Sequence, residues 1–335
     1  MKKVTLADIA REAGVSKATV SRVLSRPDLV KPETLEKVAT LIEKYAFVPS
    51  ALARGLAGTA TRNIGVIIDE LSNNFFIEIA EGIDGVLSSA GYSMQLSSSR
   101  WILEKEISNV RHLLGNRVDG ILLAPVFPES PSIRLLKESG VPFLVMNCIP
   151  EDPDISYVSC DNRMGGRLAA EYINSLNREQ TIVITGYPHQ SLKDRFEGFA
   201  ENFRPVNGRE FIHYSSIKTF EDGYEMVPVL ISRNRLRDLS TTLFITNDNV
   251  AMGITTRLIE LGIPVPHQVS VVGYDDIRLS SLCRIPLTTV SQSIRNIGKI
   301  AALELLEFIQ TTETSVKKTL VEPSLILRNS SCPAP

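Results

Sequence analysis

From Asn63 onward the sequence alternates short apolar runs with amphipathic stretches, and this alternation restricts the fold more than any other feature of the chain. NIGVIID, YSMQLSSS, VDGILLAPV and VPFLVMN read as strands, and IEIAEGIDGVLSSAG, EKEISNVRHLLGN and SIRLLKESG read as the helices between them. After SYVSCDN and the helical GGRLAAEYINSL, a second series starts at TIVITG and continues through EFIHYSS, TLFITN and VSVVGYD. Its helices are RFEGFAENF, GYEMVPVLIS and NVAMGITTRLIELG. Strands joined through helices pair in parallel, with helices on both faces of the sheet. The pattern therefore predicts two doubly wound α/β halves. LTTVSQSI, a long helix NIGKIAALELLEFIQ and the strand-like LVEPSLILRNSS follow.

The first 62 residues are of a different kind. Residues 4–25, VTLADIAREAGVSKATVSRVLS, predict two short helices and a tight turn. Thr5 followed three residues later by Asp8 forms a capping box. Leu6, Ile9, Ala10 and Ala13 fall on one helical face. Gly14 supplies the left-handed residue that ends the helix, Val15 packs in the turn, and Ser16 caps the second helix. The apolar side of that second helix is Val20, Val23 and Leu24 with part of Ala18. Its other side is Lys17, Thr19, Ser21 and Arg22, a row of donors with no carboxylate. Such a face suits a helix laid in a DNA major groove, although a helical hairpin with a solvated face has the same periodicity. A third helix is predicted from Pro32, with Leu35, Val38, Ala39, Ile42 and Tyr45 closing a three-helix head.

Charge divides along the same line. Residues 1–62 carry 11 Lys and Arg against 6 Asp and Glu, whereas the remaining residues carry 25 against 32. A basic head on an acidic body is the footprint of a polyanion-binding module joined to something else. Hydrophobic content of 43% and charged content of 22% describe a globular chain, and 335 residues predict two or three domains. Cys148, Cys160, Cys283 and Cys332 form no CxxC pair, so no metal site is expected. The N-terminus has no apolar leader and no run of 18 apolar residues occurs, which predicts a cytoplasmic protein with no membrane partner.

ADIAREAGVSKATVSRVL resembles the N-terminal helix-turn-helix signature of the LacI/GalR (lactose-repressor) family of bacterial transcription regulators. FVPSALARGLAG resembles that family's hinge helix, although so short a segment, with Gly55 inside it, is marginal as an isolated helix. The resemblance implies that the hinge folds on operator DNA and that Leu56 wedges into a central base step, opening the minor groove. Lys31 and Ala46 depart from the family, which usually has Ser or Thr at the first position and Gly or Asn at the second. The two-half core resembles periplasmic-type sugar-binding proteins and the core of the same repressors, with crossings between halves near Asp161, Ser291 and Val321. The implied organisation is a head at 1–48, a hinge at 49–61 and a core at 62–335. Within the core, the first half takes 62–161 and 291–320, and the second takes 162–290 and 321–332. DNA contacts are implied for Thr5, Leu6, Ser16, Lys17, Ala18, Thr19, Ser21, Arg22, Ala53 and Leu56.

Ligands of such folds bind at the carboxyl ends of strands, in the cleft between halves. The resemblance places Phe75, Phe76, Ser191, Arg195, Asn247, Asp275 and Gln292 there, with Asp161 as a weaker candidate. Flat rings suit the CH face of a sugar or a base, and a guanidinium fork suits vicinal hydroxyls or a carboxylate. Phe75 or Phe76 can equally belong to the core. Asp248 and Asp276 are expected to cap helices or hold loops, and His189 is expected to be solvent-exposed. Lys218 stands where the family often carries a stacking aromatic. It is either a solvated loop residue or the partner of an anionic sugar acid or phosphosugar. No GxSxG, HExxH, P-loop or strand-following GxGxxG occurs, so neither an enzyme nor a cofactor is expected. A transport receptor with the same core would lack the helix-turn-helix. The expectation is a repressor of carbohydrate-metabolism genes, binding a near-palindromic operator and controlled by a sugar-like effector that either induces or co-represses. The closing RNSSCPAP has no leucine heptads, which predicts a homodimer.

Overall fold

The computed structural model describes residues 4–25, 27–45, 47, 60–186, 189–205, 208–233, 235–236, 240–311 and 315–334. Ala46 and almost all of the expected hinge, including Ala53 and Leu56, lie outside them. The chain divides into two compact units, Met1–Arg62 and Asn63–Pro335.

In the first unit, helices α1 (Leu6–Ala13), α2 (Lys17–Ser25) and α3 (Pro32–Lys44) enclose Ile9, Ala10, Ala13, Val20, Val23 and Val38. The capping box forms, with Asp8 donating its amide to Thr5 Oγ1 and Asp8 Oδ2 accepting from the Thr5 amide at 3.0 Å. Gly14 takes φ 69° and ends α1. Ser16 Oγ accepts from the Thr19 amide at 3.0 Å at the start of α2. Two expectations need correction. Ala39 is exposed, and Leu41 packs on the core in its place, because the buried stripe of α3 runs through positions 35, 38 and 41–42. Ala18 is fully on the outer face of α2.

The second unit holds two six-stranded sheets. Strands β1 (Asn63–Ile68), β2 (Ser93–Ser98), β3 (Gly120–Leu123), β4 (Phe143–Met146) and β5 (Tyr157–Cys160) come from the first series. With β11 (Lys318–Val321) they form an all-parallel sheet in the order β11-β5-β4-β3-β1-β2. The second sheet takes β6 (Gln180–Ile184), β7 (Ile212–Tyr214), β8 (Thr241–Ile245), β9 (Val269–Asp275), β10 (Thr288–Ser291) and β12 (Ser324–Ile326). Its order is β12-β10-β9-β8-β6-β7, and only the β10–β12 pair is antiparallel. The final stretch is thus two strands in different sheets, broken at Pro323, which cannot donate to a ladder.

Side chains alternate across the first sheet. Ile64, Val66 and Ile68 pack toward α4 (Asn74–Ser89) and α11 (Ile294–Gln310), while Ile67 joins the layer of α5 (Leu103–Gly115) and α6 (Pro131–Ser139). The second sheet is covered by α7 (Asn162–Leu176) with α8 (Gln190–Asn202), and by α9 (Phe220–Ser232) with α10 (Asp248–Glu260). Three helix pairs close on reciprocal glycines. Gly82 faces the Arg295 carbonyl and Gly298 that of Ile79, Gly166 faces Arg195 and Gly198 Arg163, and Gly223 faces Val250 and Gly253 Phe220. At each position a Cβ would lie 2.0–2.4 Å from the carbonyl oxygen, so only glycine permits the approach.

Strand order reverses beside β1 in the first sheet and beside β6 in the second. The crevice at each reversal opens at the carboxyl ends of these strands, where α/β proteins bind ligands. Contacts between the halves gather there: Asn249 Nδ2 donates to Asn73 Oδ1 at 3.0 Å, and the Arg278 amide donates to Glu78 Oε1 at 2.7 Å.

Candidate functional site

Two surfaces carry the expected residues. On the head, Lys17, Ala18 and Arg22 are exposed along one side of α2, and Thr19 and Ser21 are half-buried at its edges. The hydroxyls of Thr5 and Ser16 are engaged as helix caps, and Leu6 is packed on the head core. What α2 presents outward is therefore two cations and a methyl group, with no acid among them.

In the core, the cleft is organised around Arg195. Its guanidinium is buried and donates through Nε to Asn162 Oδ1 at 2.9 Å. Nη1 donates to the Thr246 carbonyl at 2.7 Å and to Asp275 Oδ1 at 2.9 Å. The group also stacks 4.0 Å above the Tyr274 ring. Gln292 Nε2 donates to the same Asp275 oxygen at 2.6 Å, so Arg195, Asp275 and Gln292 form one buried cluster. Burial pushes Asp275 up to about 6, against the pull of Arg195 and Gln292. Asp248 lies close by and is raised further by burial and by Asp275. It accepts from Thr289 Oγ1 and the Ile277 amide, while Asp276 pairs with Arg328 at 2.6 Å; both hold loops.

Other sites differ from the sequence reading. His189 is buried rather than exposed, because its ring packs edge-on against Trp101 from the other half at 5.1 Å and its Nδ1 shares a hydrogen with Ser191 Oγ at 2.8 Å. Burial lowers its pKa to about 4, with the Pro125 carbonyl opposing and Arg195 adding to the shift. Phe75 and Phe76 are both in the core of the first half; the Phe76 ring meets Trp101 at 6.5 Å and so backs the cleft wall. Asp161 and Asn247 spend their side chains on local caps, accepting from the Met164 and Val250 amides at 2.9 and 3.2 Å. Lys218 is not with Arg195. It lines an open cavity of about 570 Å3 between the halves, with Glu70, Asn73, Phe220, Asn249 and Met252.

Sequence reasoning passed over Asp69, Trp101 and Asn147, which follow β1, β2 and β4. The strand-end rule applied to Asn247 and Asp275 would have found them. Backbone strain marks the same rim: Trp101, Asn147, Asp275, Asp276 and Ser293 have φ of 59°, 55°, 122°, 59° and 52°. Non-glycine residues pay for such conformations, and they persist mainly at sites of function. Among the described residues no cluster of His, Cys, Asp or Glu could hold a metal ion, and no helix is long and apolar enough to cross a membrane.

Residues 5–50 match the family described as "Bacterial regulatory proteins, lacI family", and residues 177–331 match a "Periplasmic binding protein-like domain". The HTH-type transcriptional repressor PurR of Vibrio parahaemolyticus serotype O3:K6 is 32% identical over 335 residues, covering 97% of this chain and 98% of its own. The Lac repressor dimer bound to operator and the anti-inducer ONPF superposes with a TM-score of 0.82 at 26% identity, over 98% of this chain and 99% of that one. A LacI family regulator from Enterococcus faecium with bound ribose gives a TM-score of 0.72 at 25% identity, over 82% of this chain and 100% of that one.

Proposed function

The chain belongs to the lacI family of bacterial regulatory proteins, and from that premise we propose that it is a dimeric, sequence-specific transcriptional repressor whose operator affinity is set by a small sugar-like ligand in the core cleft. The observation that carries the DNA half is the acid-free outer face of α2, where Lys17, Ala18 and Arg22 are exposed together. Arg22 bonds a guanine through O6 and N7, Lys17 meets a guanine or a phosphate, Ala18 offers a methyl to thymine, and Thr19 and Ser21 set register on phosphates. Residues 49–61 fold as a hinge on the operator, with Leu56 wedging a central step. Selection of duplexes from a random pool should return a near-palindrome. Measured against single-base variants of it, Arg22→Ala should relax preference at one symmetric pair of positions, by about 1–3 kcal/mol, whereas Ser21→Ala should weaken all variants alike. A uniform loss with Arg22→Ala would make Arg22 a phosphate contact.

The buried Arg195–Asp275–Gln292 cluster supports the ligand half, together with the Trp101 ring that covers His189 and the Phe76 ring against it. The ribose bound in the Enterococcus faecium relative supports a sugar. A ligand that prefers one closure of the two halves would change operator affinity, as inducer or co-repressor according to which closure it prefers. The repressor acts in the cytoplasm, where its DNA is.

Three exposed apolar side chains around the mouth of the open cavity, Phe220, Leu279 and Leu282, support a second copy seated there. Leu282, 67% exposed, is the most accessible of them. Leu282→Asp should weaken the dimer by about 2 kcal/mol or more, read as monomer in sedimentation at micromolar concentration. A stable wild-type tetramer, or an unchanged dimer in the variant, would contradict this assembly.

A further inference from the structure

Folded proteins leave few buried polar atoms without a hydrogen-bond partner. Among the described residues nine such side-chain atoms occur, and five belong to Asp69, Asn147, His189 and Gln292. Asp69, Asn147 and His189 border the end of β3, and Gln292 connects to them through α8. Asp69 and Asn147 follow β1 and β4, which flank β3 in the first sheet, and Pro125 lies just beyond the end of β3. His189 reaches across from the second half to face Pro125 and Trp101, which follows β2, with its Nε2 short of a bonded contact. Gln292 is tied through Asp275 and Arg195 to the same helix, α8, that carries Ser191, the partner of His189.

Asp69 is the extreme case. It is fully buried, at the reversal point of the first sheet, and neither carboxylate oxygen has a partner. Burial raises its pKa well above the carboxylate range, with Glu106 and Glu70 adding to the rise. Glu106 is itself satisfied by the Val126 amide at 2.6 Å and the Ser130 hydroxyl, so it leaves nothing for Asp69. The unmet groups are mainly acceptors. Gln292 is fixed by its bond to the Asp275 carboxylate, which only an N–H can make, so Oε1 is the atom left over. The one cation of the cluster, Arg195, is already paired with Asp275.

We propose that Asp69 selects the effector, accepting two hydrogens from adjacent donors on an uncharged or cationic ligand, either the vicinal hydroxyls of a sugar or the ammonium group of an amino sugar, and excluding anionic sugars. The proposal rests on the cleft being the effector site. It decides against the acid or phosphate that Lys218 suggested: Asp69, whose burial favours the neutral form, regains its charge only against the donors of a ligand, an anion opposes that ionisation, and Arg195 is already neutralised by Asp275. Carboxylates bind paired donors more strongly than neutral acceptors do.

The test is thermal unfolding of the full chain, as wild type and as Asp69→Asn, alone and with D-glucose, D-galactose, D-ribose, D-glucosamine, D-gluconate or glucose 6-phosphate. At least one of the first four should raise the wild-type midpoint, glucosamine alone identifying an ammonium and the neutral sugars a diol. Gluconate and glucose 6-phosphate should not. In Asp69→Asn the sugar-induced shift should vanish, with affinity down at least tenfold or so, while the ligand-free midpoint rises by a few degrees because an orphaned acid is gone. A shift with either anion, a full sugar shift in Asp69→Asn, or silence from all four uncharged and amino sugars overturns the proposal. Selection of DNA from a random pool by the same variant separates the two readings: DNA selection intact with an anion-responsive core refutes Asp69 alone.

Discussion

Arg195→Ala is expected to lower the stability of the core by about 3–5 kcal/mol and to abolish the response to ligand. The guanidinium is 3% exposed and has three protein acceptors, only one of which is a charge. Removing it leaves the Asp275 carboxylate buried beside Asp248 with Gln292 as its remaining side-chain donor. A buried charge without its partner is far more costly than the pair itself is stabilising. The loss should also depend on pH in a definite direction. Asp275 in the wild type is already raised to about 6 by burial, and without Arg195 it rises further. A carboxyl whose folded pKa exceeds its unfolded value is proton-bound in the fold, so its contribution is lost as pH rises through the folded pKa. Urea unfolding should therefore show the variant closest to wild type near pH 5 and furthest from it near pH 8. Arg195→Lys restores the charge without the fork and should recover only part of the loss. A loss below about 1 kcal/mol, independent of pH, would mean that Asp275 finds another partner.

Gly166→Ala is the second large effect, at about 3 kcal/mol or more. Its new Cβ would lie 2.1 Å from the Arg195 carbonyl and 2.7 Å from the Phe199 amide, both backbone atoms that no rotamer change can clear. Helices α7 and α8 must separate, and α8 carries Ser191 and Arg195, so ligand affinity should fall with stability. Gly85→Ala is the control. It sits in the exposed part of α4 with nothing within 4 Å, and should gain about 0.5–1 kcal/mol from helix propensity alone. Chemical denaturation of both variants checks the pair: a large loss in Gly166→Ala beside a small gain in Gly85→Ala, or the reciprocal glycines are not what sets the helix spacing.

Much of this molecule is written locally. The capping box of Thr5 and Asp8, the left-handed Gly14 and the alternation of strands and helices each depend on residues a few positions apart. Spacing of that kind is visible in a sequence, because the hydrogen bond or the buried stripe closes within one turn or one strand. The same locality sets the capping bonds of two expected site residues. Asp161 and Asn247 stand at the first positions of helices, where a short polar side chain takes the nearest orphan amide before any ligand competes for it. Arg195, Asp275 and Gln292 were legible as strand-end or family positions, but their joining into one cluster was not.

What only the tertiary structure decided is which polar groups find partners and which do not. His189 is buried because Trp101, from the other half, covers it. Asp69 looks like any strand-end acid until the surrounding carbonyls, amides and acids are in place and none of them meets it. Lys218 belongs to an open cavity and not to the arginine cluster, since the loop ahead of α9 faces the β1–α4 turn. A carboxylate's partner can come from anywhere in the chain, so its absence is a property of the whole fold. The sequence sets the groups and their local geometry, and the packing of the two halves sets which of those groups are left over for a ligand.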